Sequence, residues 1–238
     1  MINERYLDGT AFNRSKSMQK KTKLIAIALA IIFLVLPIPV FNLIHAQTAK
    51  TAPDASIAPI RVACVGDSIT ALYPYYLYMM LGSSNYTVGN FGVGGSTVSL
   101  DFDKPYMNQT AATNALNFAP NIVVIMLGTN DGYLSTQQRI NFTSDYATLI
   151  AKFQALPSKP RIYIATPPPA FNNTTGLDGA IVANDVMPLV KQTASQLGLP
   201  LIDMYTPLVN HPEDFLDGIH PNSQGAQVIA QVIFNAIT

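Results

Sequence analysis

The sequence predicts an α/β domain built on a five-stranded parallel sheet and spanning residues 60–238. Short apolar runs without polar alternation, such as IVVIM at 122–126, are typical of strands buried on both faces of a parallel sheet. Segments with helical periodicity separate these runs, and alternating strands and helices form parallel sheets with right-handed crossovers. The predicted strands are residues 60–65, 86–91, 122–126, 161–166 and 201–202.

Helices are predicted between and after these strands. Pro188 lies inside the third helix, and because proline lacks a backbone N–H we expect it to bend or interrupt that helix. Hydrophobic residues make up 49% of the chain and charged residues 12%, which indicates an ordered domain with a sizeable core. The predicted helices are residues 69–82, 141–156, 179–197 and 223–236.

A basic and then apolar segment precedes the domain. Residues 1–46 hold six Lys/Arg and two Asp/Glu, a net charge of +4. Residues 24–44 are almost wholly apolar, which fits either a secretory signal peptide or a membrane-spanning anchor. Pro37 and Pro39 favour the signal peptide, since prolines interrupt a spanning helix. In both cases we expect the domain to be exported, either secreted or anchored to the outer face of the membrane by this segment, with residues 47–59 as a linker.

The remaining chain is mildly acidic and holds one cysteine. Residues 47–238 hold eight Lys/Arg and twelve Asp/Glu, a net charge of −4, so we expect no nucleic-acid partner. Contact with a membrane is expected only through the N-terminal segment.

Cys64 is the single cysteine of the chain, which excludes an internal disulfide, and its place in the apolar run VACV predicts a buried side chain.

Residues able to carry chemistry follow the predicted strands, at the sheet edge where open α/β folds bind ligands. Ser68 follows the first strand and could be either the N-cap of a helix or a nucleophile. His220 has Asp217 three residues before it, so one loop could supply a base and the carboxylate that orients it, or simply a solvated turn.

Two further loops could stabilise a developing negative charge. Gly94 and Gly95 would let a backbone N–H approach closely, and Asn130 offers a side-chain amide donor. Each could also belong to an ordinary turn. The spacing G-x-G-x-x-G of dinucleotide-binding loops is absent from this segment, where Thr97 stands in place of the last glycine.

Taken in order, these pieces resemble the SGNH hydrolases, also called the GDSL esterase/lipase superfamily. The resemblance implies a three-layer α/β/α sandwich with a flavodoxin-like sheet and no cofactor. It implies that Ser68 is the nucleophile, that His220 is its base and that Asp217 orients the histidine. An oxyanion hole would then be formed by the backbone N–H groups of Ser68 and Gly95 and the side-chain amide of Asn130. The matching blocks are Gly66-Asp67-Ser68-Ile69-Thr70, Gly92-Val93-Gly94-Gly95-Ser96-Thr97, Gly128-Thr129-Asn130-Asp131 and Asp217-Gly218-Ile219-His220.

A narrower resemblance points to substrate. The stretches NFGVGGSTVSLDFDKPY and LDGIHPNSQGAQVIA are similar to carbohydrate O-acetylesterases of the superfamily, including sialate and xylan acetylesterase types. Because the chain has no Trp, stacking on a sugar ring would fall to residues such as Tyr106 and Tyr133, although both could equally pack in the core or in loops. Asp67 and Asp131, which stand in two of the matching blocks, are further expected substrate contacts.

The leading hypothesis is therefore an exported serine esterase that removes acetyl or other short acyl groups from carbohydrate. One alternative is a lipase or thioesterase of the same superfamily that acts on longer acyl chains. The other is a cell-surface binding module that has lost catalytic activity.

Overall fold

The computed structural model describes residues 6–8 and 58–238. The predicted leader at 1–46 and linker at 47–59 lie almost entirely outside these residues, and both stay predictions. No helix within the described ranges has both the length and the apolar character needed to cross a membrane. The apolar run at 24–44 is not part of those ranges.

One parallel sheet organises the fold. Its strands are β1 (Tyr6–Asp8), β2 (Ile60–Gly66), β3 (Tyr86–Gly92), β4 (Ile122–Met126), β5 (Arg161–Ala165) and β6 (Leu201–Ile202). The strand order is β1-β3-β2-β4-β5-β6, and all pairs are parallel. The five predicted strands are confirmed in a flavodoxin-like order. The edge strand β1 was not predicted.

Helices cover both faces of this sheet. They are α1 (Pro74–Leu81), α2 (Thr110–Asn117), α3 (Phe142–Gln154), α4 (Gly179–Ile181), α5 (Met187–Leu197) and α6 (Ser223–Ile237). Because successive side chains of a strand point to opposite faces, Val62 and Cys64 pack in one core and Ala63 and Val65 in the other. The first core also holds residues of α1 and α6, and the second holds residues of α2, α3 and α5. The three-layer prediction is confirmed.

The helices differ from the sequence prediction in three places. Helix α1 begins at Pro74 rather than near residue 69, and α2 was not predicted. The predicted helix at 179–197 is divided into α4, a π-helical turn at Val182–Val186, and α5. Pro188 stands at the start of α5, where its missing N–H costs little, and the wider π turn lies just before it.

Candidate active site

Ser68 lies in a tight turn at the end of β2. The N–H of Ala71 donates to the carbonyl of Ser68 at 3.1 Å, and the N–H of Leu72 donates to the carbonyl of Ile69 at 3.2 Å. The N-cap of α1 is Tyr73, so the suggested N-cap role of Ser68 does not hold. Its hydroxyl is therefore not used by a helix and contacts a histidine instead.

The side chains of Ser68, His220 and Asp217 form one line of hydrogen bonds. Ser68 Oγ lies 2.8 Å from His220 Nε2, although the two residues are 152 positions apart. On the far side of the ring, His220 Nδ1 lies 2.6 Å from Asp217 Oδ2. The crossovers of the parallel sheet return both loops to the carboxyl edge of the strands. The imidazole thus stands between a hydroxyl and a carboxylate.

Asp217 is held in its ionised form by its own loop. Its Oδ1 accepts the backbone N–H groups of Ile219 at 2.9 Å and His220 at 2.7 Å. Desolvation would raise the pKa of Asp217, but the hydrogen bonds from His220 and Ile219 outweigh it and lower the pKa to about 2. The side chain is 54% exposed. Asp217 therefore carries a negative charge beside His220 at neutral pH.

A neighbouring loop supports the segment that carries Asp217 and His220. The N–H of Phe171 donates to the carbonyl of Gly218 at 2.7 Å. Gly218 has a φ of +79°, and a Cβ built there would lie only 2.3 Å from the carbonyl oxygen of Asn172. Only glycine fits this left-handed, crowded position. The backbone at Gly218 therefore packs closely against residues 171–172.

Two other loops bring possible hydrogen-bond donors to the same edge of the sheet as Ser68. Asn130 opens a 3-10 turn after β4, and its Nδ2 donates to the carbonyl of Ser96 at 3.0 Å, which leaves a second amide hydrogen available. A Cβ built on Gly94 would lie 3.7 Å from the Cβ of Ser68. Gly95 has a φ of +77°. Within the described part of the chain, the backbone N–H groups of Ser68 and Gly95 have no protein acceptor.

Asp67 and Asp131 are buried, which revises their expected role as substrate contacts. Asp67 is 1% exposed, and its Oδ1 accepts the N–H of Ile69 at 3.0 Å. Asp131 is fully buried, and its two oxygens accept the N–H groups of Val98 and Ser99 at 2.9 Å each. Burial raises the pKa of Asp67 to about 7 and that of Asp131 to about 6, against the opposing hydrogen bonds. Both carboxyl groups organise the backbone beneath the site.

The two tyrosines proposed as substrate contacts separate in the same way. Tyr106 is fully buried, and its hydroxyl donates to the carbonyl of Phe91 at 2.8 Å, so it is a core residue. Tyr133 is 43% exposed and shares a hydrogen bond with the hydroxyl of Thr175. Tyr133 alone of this pair presents a surface to a ligand.

Sequence reasoning missed two features of this region. An open cleft of about 440 Å³ is lined by residues 170–173 and 176–180 and includes the exposed side chain of Asn172. The side chain of Lys104 donates from Nζ to the carbonyl of Gly94 at 2.8 Å. Neither has a local sequence signal, because the cleft depends on an irregular loop and Lys104 returns to Gly94 through a long turn.

The comparison with known families decides the class of this chain. Residues 64–228 match the GDSL-like lipase/acylhydrolase family. The chain belongs to this family. The resemblance predicted from its sequence motifs is thereby confirmed.

The relatives include carbohydrate esterases. An acetylxylan esterase from Xylanibacter ruminicola is 35% identical over 217 residues, which cover 79% of this chain and 45% of that protein. The present chain thus spans slightly less than half the length of this curated relative.

Solved structures share the fold. The acetyl xylan esterase AlAXEase superposes with a TM-score of 0.59 at 22% identity, covering 75% of this chain and 100% of that one. The carbohydrate acetylesterase Est24 from Sinorhizobium meliloti gives a TM-score of 0.58 at 19% identity, covering 75% and 98%. At such identities the likeness establishes the fold alone.

Proposed function

We propose that this chain hydrolyses acetyl and other short acyl esters on carbohydrate, with Ser68, His220 and Asp217 as its catalytic triad. One observation carries the proposal: Ser68 Oγ lies 2.8 Å from His220 Nε2, and His220 Nδ1 lies 2.6 Å from Asp217 Oδ2. A serine hydroxyl is a weak nucleophile unless a base is within hydrogen-bond reach, and here the base is itself oriented by a carboxylate.

The chemistry follows from this line of groups. Ser68 Oγ attacks the ester carbonyl while His220 Nε2 takes the hydroxyl proton, and the ionised Asp217 stabilises the imidazolium through Nδ1–H. Collapse of the tetrahedral intermediate breaks the bond to the leaving alcohol, which receives the proton from Nε2. Water then attacks the acyl-serine with His220 again as base, releasing the carboxylic acid and restoring Ser68.

The negative oxygen of each intermediate needs donors that are already in place. The backbone N–H groups of Ser68 and Gly95 lack protein acceptors in the described residues, and Asn130 has one amide hydrogen to spare. These three donors fit the role of an oxyanion hole. Removal of one such donor typically lowers kcat by about 10²–10³-fold.

A carbohydrate leaving group is supported by the relatives and by the cleft. The similar proteins described as acetylxylan esterase and carbohydrate acetylesterase act on esters of polysaccharides or sugars, as their names state. The cleft adjoins the site, because Asn172 contacts Gly218 two residues before His220. The exposed amide of Asn172 suits a sugar hydroxyl, which needs both a donor and an acceptor, and the nearby exposed ring of Tyr133 offers a stacking surface.

The deciding experiment compares the full-length chain with its Ser68→Ala variant on p-nitrophenyl acetate and on acetylated xylan. We expect the wild type to release acetate from both substrates, and Ser68→Ala to lose nearly all turnover without a change in urea unfolding. Equal activity of the two proteins would overturn the triad.

A series of p-nitrophenyl esters from acetate to decanoate then tests the acyl group. We expect the highest kcat/KM at acetate. An optimum at octanoate or decanoate would identify a lipase or thioesterase instead, and inactivity towards every ester would favour a binding module.

Export is part of the proposal and rests on the net charge of +4 in residues 1–46 and the apolar run at 24–44. Fractionation of cells expressing the full chain should find it outside the cytoplasm or on the membrane. A chain lacking residues 1–46 should stay in the cytoplasm, and equal distribution of the two proteins would contradict export.

A further inference from the structure

Lys104 bonds to a peptide unit that belongs to the proposed oxyanion hole. Its Nζ donates to the carbonyl oxygen of Gly94 at 2.8 Å. That carbonyl and the N–H of Gly95 are the two ends of one planar peptide group. The N–H end carries the proposed donor to the substrate oxyanion. Lys104 therefore contacts the opposite end of the group that would stabilise the transition state.

The backbone of Lys104 is fixed by a closed loop. The N–H of Thr97 donates to the carbonyl of Lys104 at 3.1 Å, and the N–H of Tyr106 donates back to the carbonyl of Thr97 at 2.9 Å. Tyr106 is itself anchored in the core through its hydroxyl bond to Phe91. These hydrogen bonds hold the backbone of Lys104 close to Thr97. From there the lysine side chain reaches back to Gly94, ten residues earlier in the chain.

The peptide needs such a restraint. It joins two glycines, and a peptide between residues without side chains can rotate with little steric resistance. Rotation of the plane would turn the N–H of Gly95 away from the substrate. A hydrogen bond from an ammonium group to the carbonyl oxygen opposes this rotation and is stronger than a neutral one.

We propose that Lys104 is a positioning residue that orients the Gly94–Gly95 peptide and strengthens the Gly95 N–H as a donor to the oxyanion. The second effect is electronic. A cation at the carbonyl oxygen draws electron density through the amide, so the N–H becomes more polar, as in chains of hydrogen bonds that polarise one another. The inference rests on the proposed esterase function, since it assigns Lys104 a part in the same transition state.

The test compares Lys104→Met, Lys104→Gln and Lys104→Arg on p-nitrophenyl acetate. We expect Lys104→Met to lower kcat about tenfold with KM nearly unchanged, less than the loss of a whole oxyanion donor. Lys104→Arg should recover most of the rate because it retains a charged donor. Lys104→Gln, a neutral donor, should fall between them. The matched control is Lys152→Met, which removes an exposed lysine from α3 and should leave both constants unchanged.

A second measurement reports the contact directly. In ¹H–¹⁵N spectra, the backbone amide resonance of Gly95 should shift in Lys104→Met and stay in place in Lys152→Met. An active wild type combined with a kcat within twofold in Lys104→Met and an unmoved Gly95 resonance would overturn this inference alone. A wild type without ester hydrolysis would overturn the proposed function, and this inference with it.

Discussion

The two sides of the candidate site hold their carboxyl groups by opposite means. On the side of Ser68, Asp67 and Asp131 are buried and accept backbone N–H groups, and burial raises their pKa values to about 7 and about 6. On the side of His220, Asp217 is 54% exposed, and hydrogen bonds outweigh desolvation to lower its pKa to about 2. Asp67 and Asp131 stabilise the loops beneath the site, whereas Asp217 keeps a negative charge beside the histidine.

This contrast shows that adjacency in sequence does not assign a role. Asp67 directly precedes Ser68, yet its carboxyl group lies beneath the turn and holds the N–H of Ile69. Asp217 is far from Ser68 along the chain but is joined to it through His220. Exposure and hydrogen-bond partners separate the two kinds of carboxyl group.

The largest effect is expected from Asp217→Asn. The Asn carbonyl can still accept the N–H groups of Ile219 and His220, but its amide cannot also hold Nδ1–H of the imidazole in the required tautomer. We expect kcat to fall by about 10⁴-fold with unfolding by urea almost unchanged. A loss below tenfold would mean that His220 needs no negative charge beside it for catalysis.

The buried carboxyl groups of Asp67 and Asp131 should make the free energy of unfolding depend on pH. The pKa of Asp67 rises from 3.8 to about 7 on folding, so the folded state binds a proton more tightly than the unfolded state. The free energy of unfolding should therefore fall as pH rises from about 4 to about 7, by an amount on the order of 2–4 kcal/mol. Asp131 adds to the fall up to about pH 6, where its pKa lies. Asp217 acts with the opposite sign and only below its unfolded pKa of 3.8.

Urea unfolding from pH 4 to pH 8 measures this fall, and Asp67→Asn should reduce it to the part that Asp131 contributes. In that variant the side-chain carbonyl can still accept the N–H of Ile69, while the titrating group is gone. A wild-type protein that gains stability across this range would contradict the assignment of Asp67 as a buried carboxyl group with a raised pKa.

Gly218→Ala tests how the segment that carries Asp217 and His220 is positioned. Gly82 provides a matched control, because its φ of +80° is similar but a Cβ built there has no neighbour within 4 Å. Gly82→Ala should cost about 1–3 kcal/mol of stability from backbone strain alone. Gly218→Ala should cost more, and should also lower kcat because the alanine would displace the loop from Asn172. Equal effects of the two substitutions on stability and kcat would contradict the inference that close packing of Gly218 against Asn172 positions this segment.

The smallest effect is expected from Asn172→Ala in the cleft. One lost neutral hydrogen bond to a sugar is worth about 1 kcal/mol, so KM for acetylated xylo-oligosaccharides should rise about fivefold. KM for p-nitrophenyl acetate should not change, since that substrate has no sugar. Asn117→Ala, at the exposed end of α2, is the control. A parallel rise of KM for both substrates would place Asn172 outside the sugar-binding surface.

The sequence predicted the sheet well because its strands carry their own signal. Runs such as Ile122–Met126 are apolar at every position and are buried at every position. Helix α2 escaped prediction because it is only eight residues long and its buried residues, Ala112 and Ala115, are small. Helix α1 begins late because two overlapping turns occupy residues 68–72 before Pro74.

Prediction of the site depended on the kind of contact involved. Ser68, Asp217 and His220 stand in recognisable motifs at predicted strand ends, so the sequence could bring them together. The burial of Asp131 depends on hydrogen bonds to Val98 and Ser99, more than 30 positions away, which no local pattern reveals. The same holds for Lys104, whose contact with Gly94 requires the loop to close first.

The anchoring of His220 has a consequence for heat inactivation. Its neighbour Ile219 packs with Leu177 and Val182 in a small apolar cluster, separate from the two large cores on the faces of the sheet. A cluster of so few residues can open locally at a fraction of the free energy that global unfolding requires. We therefore expect activity to fade on warming before the sheet melts, and to return on cooling as the cluster closes again.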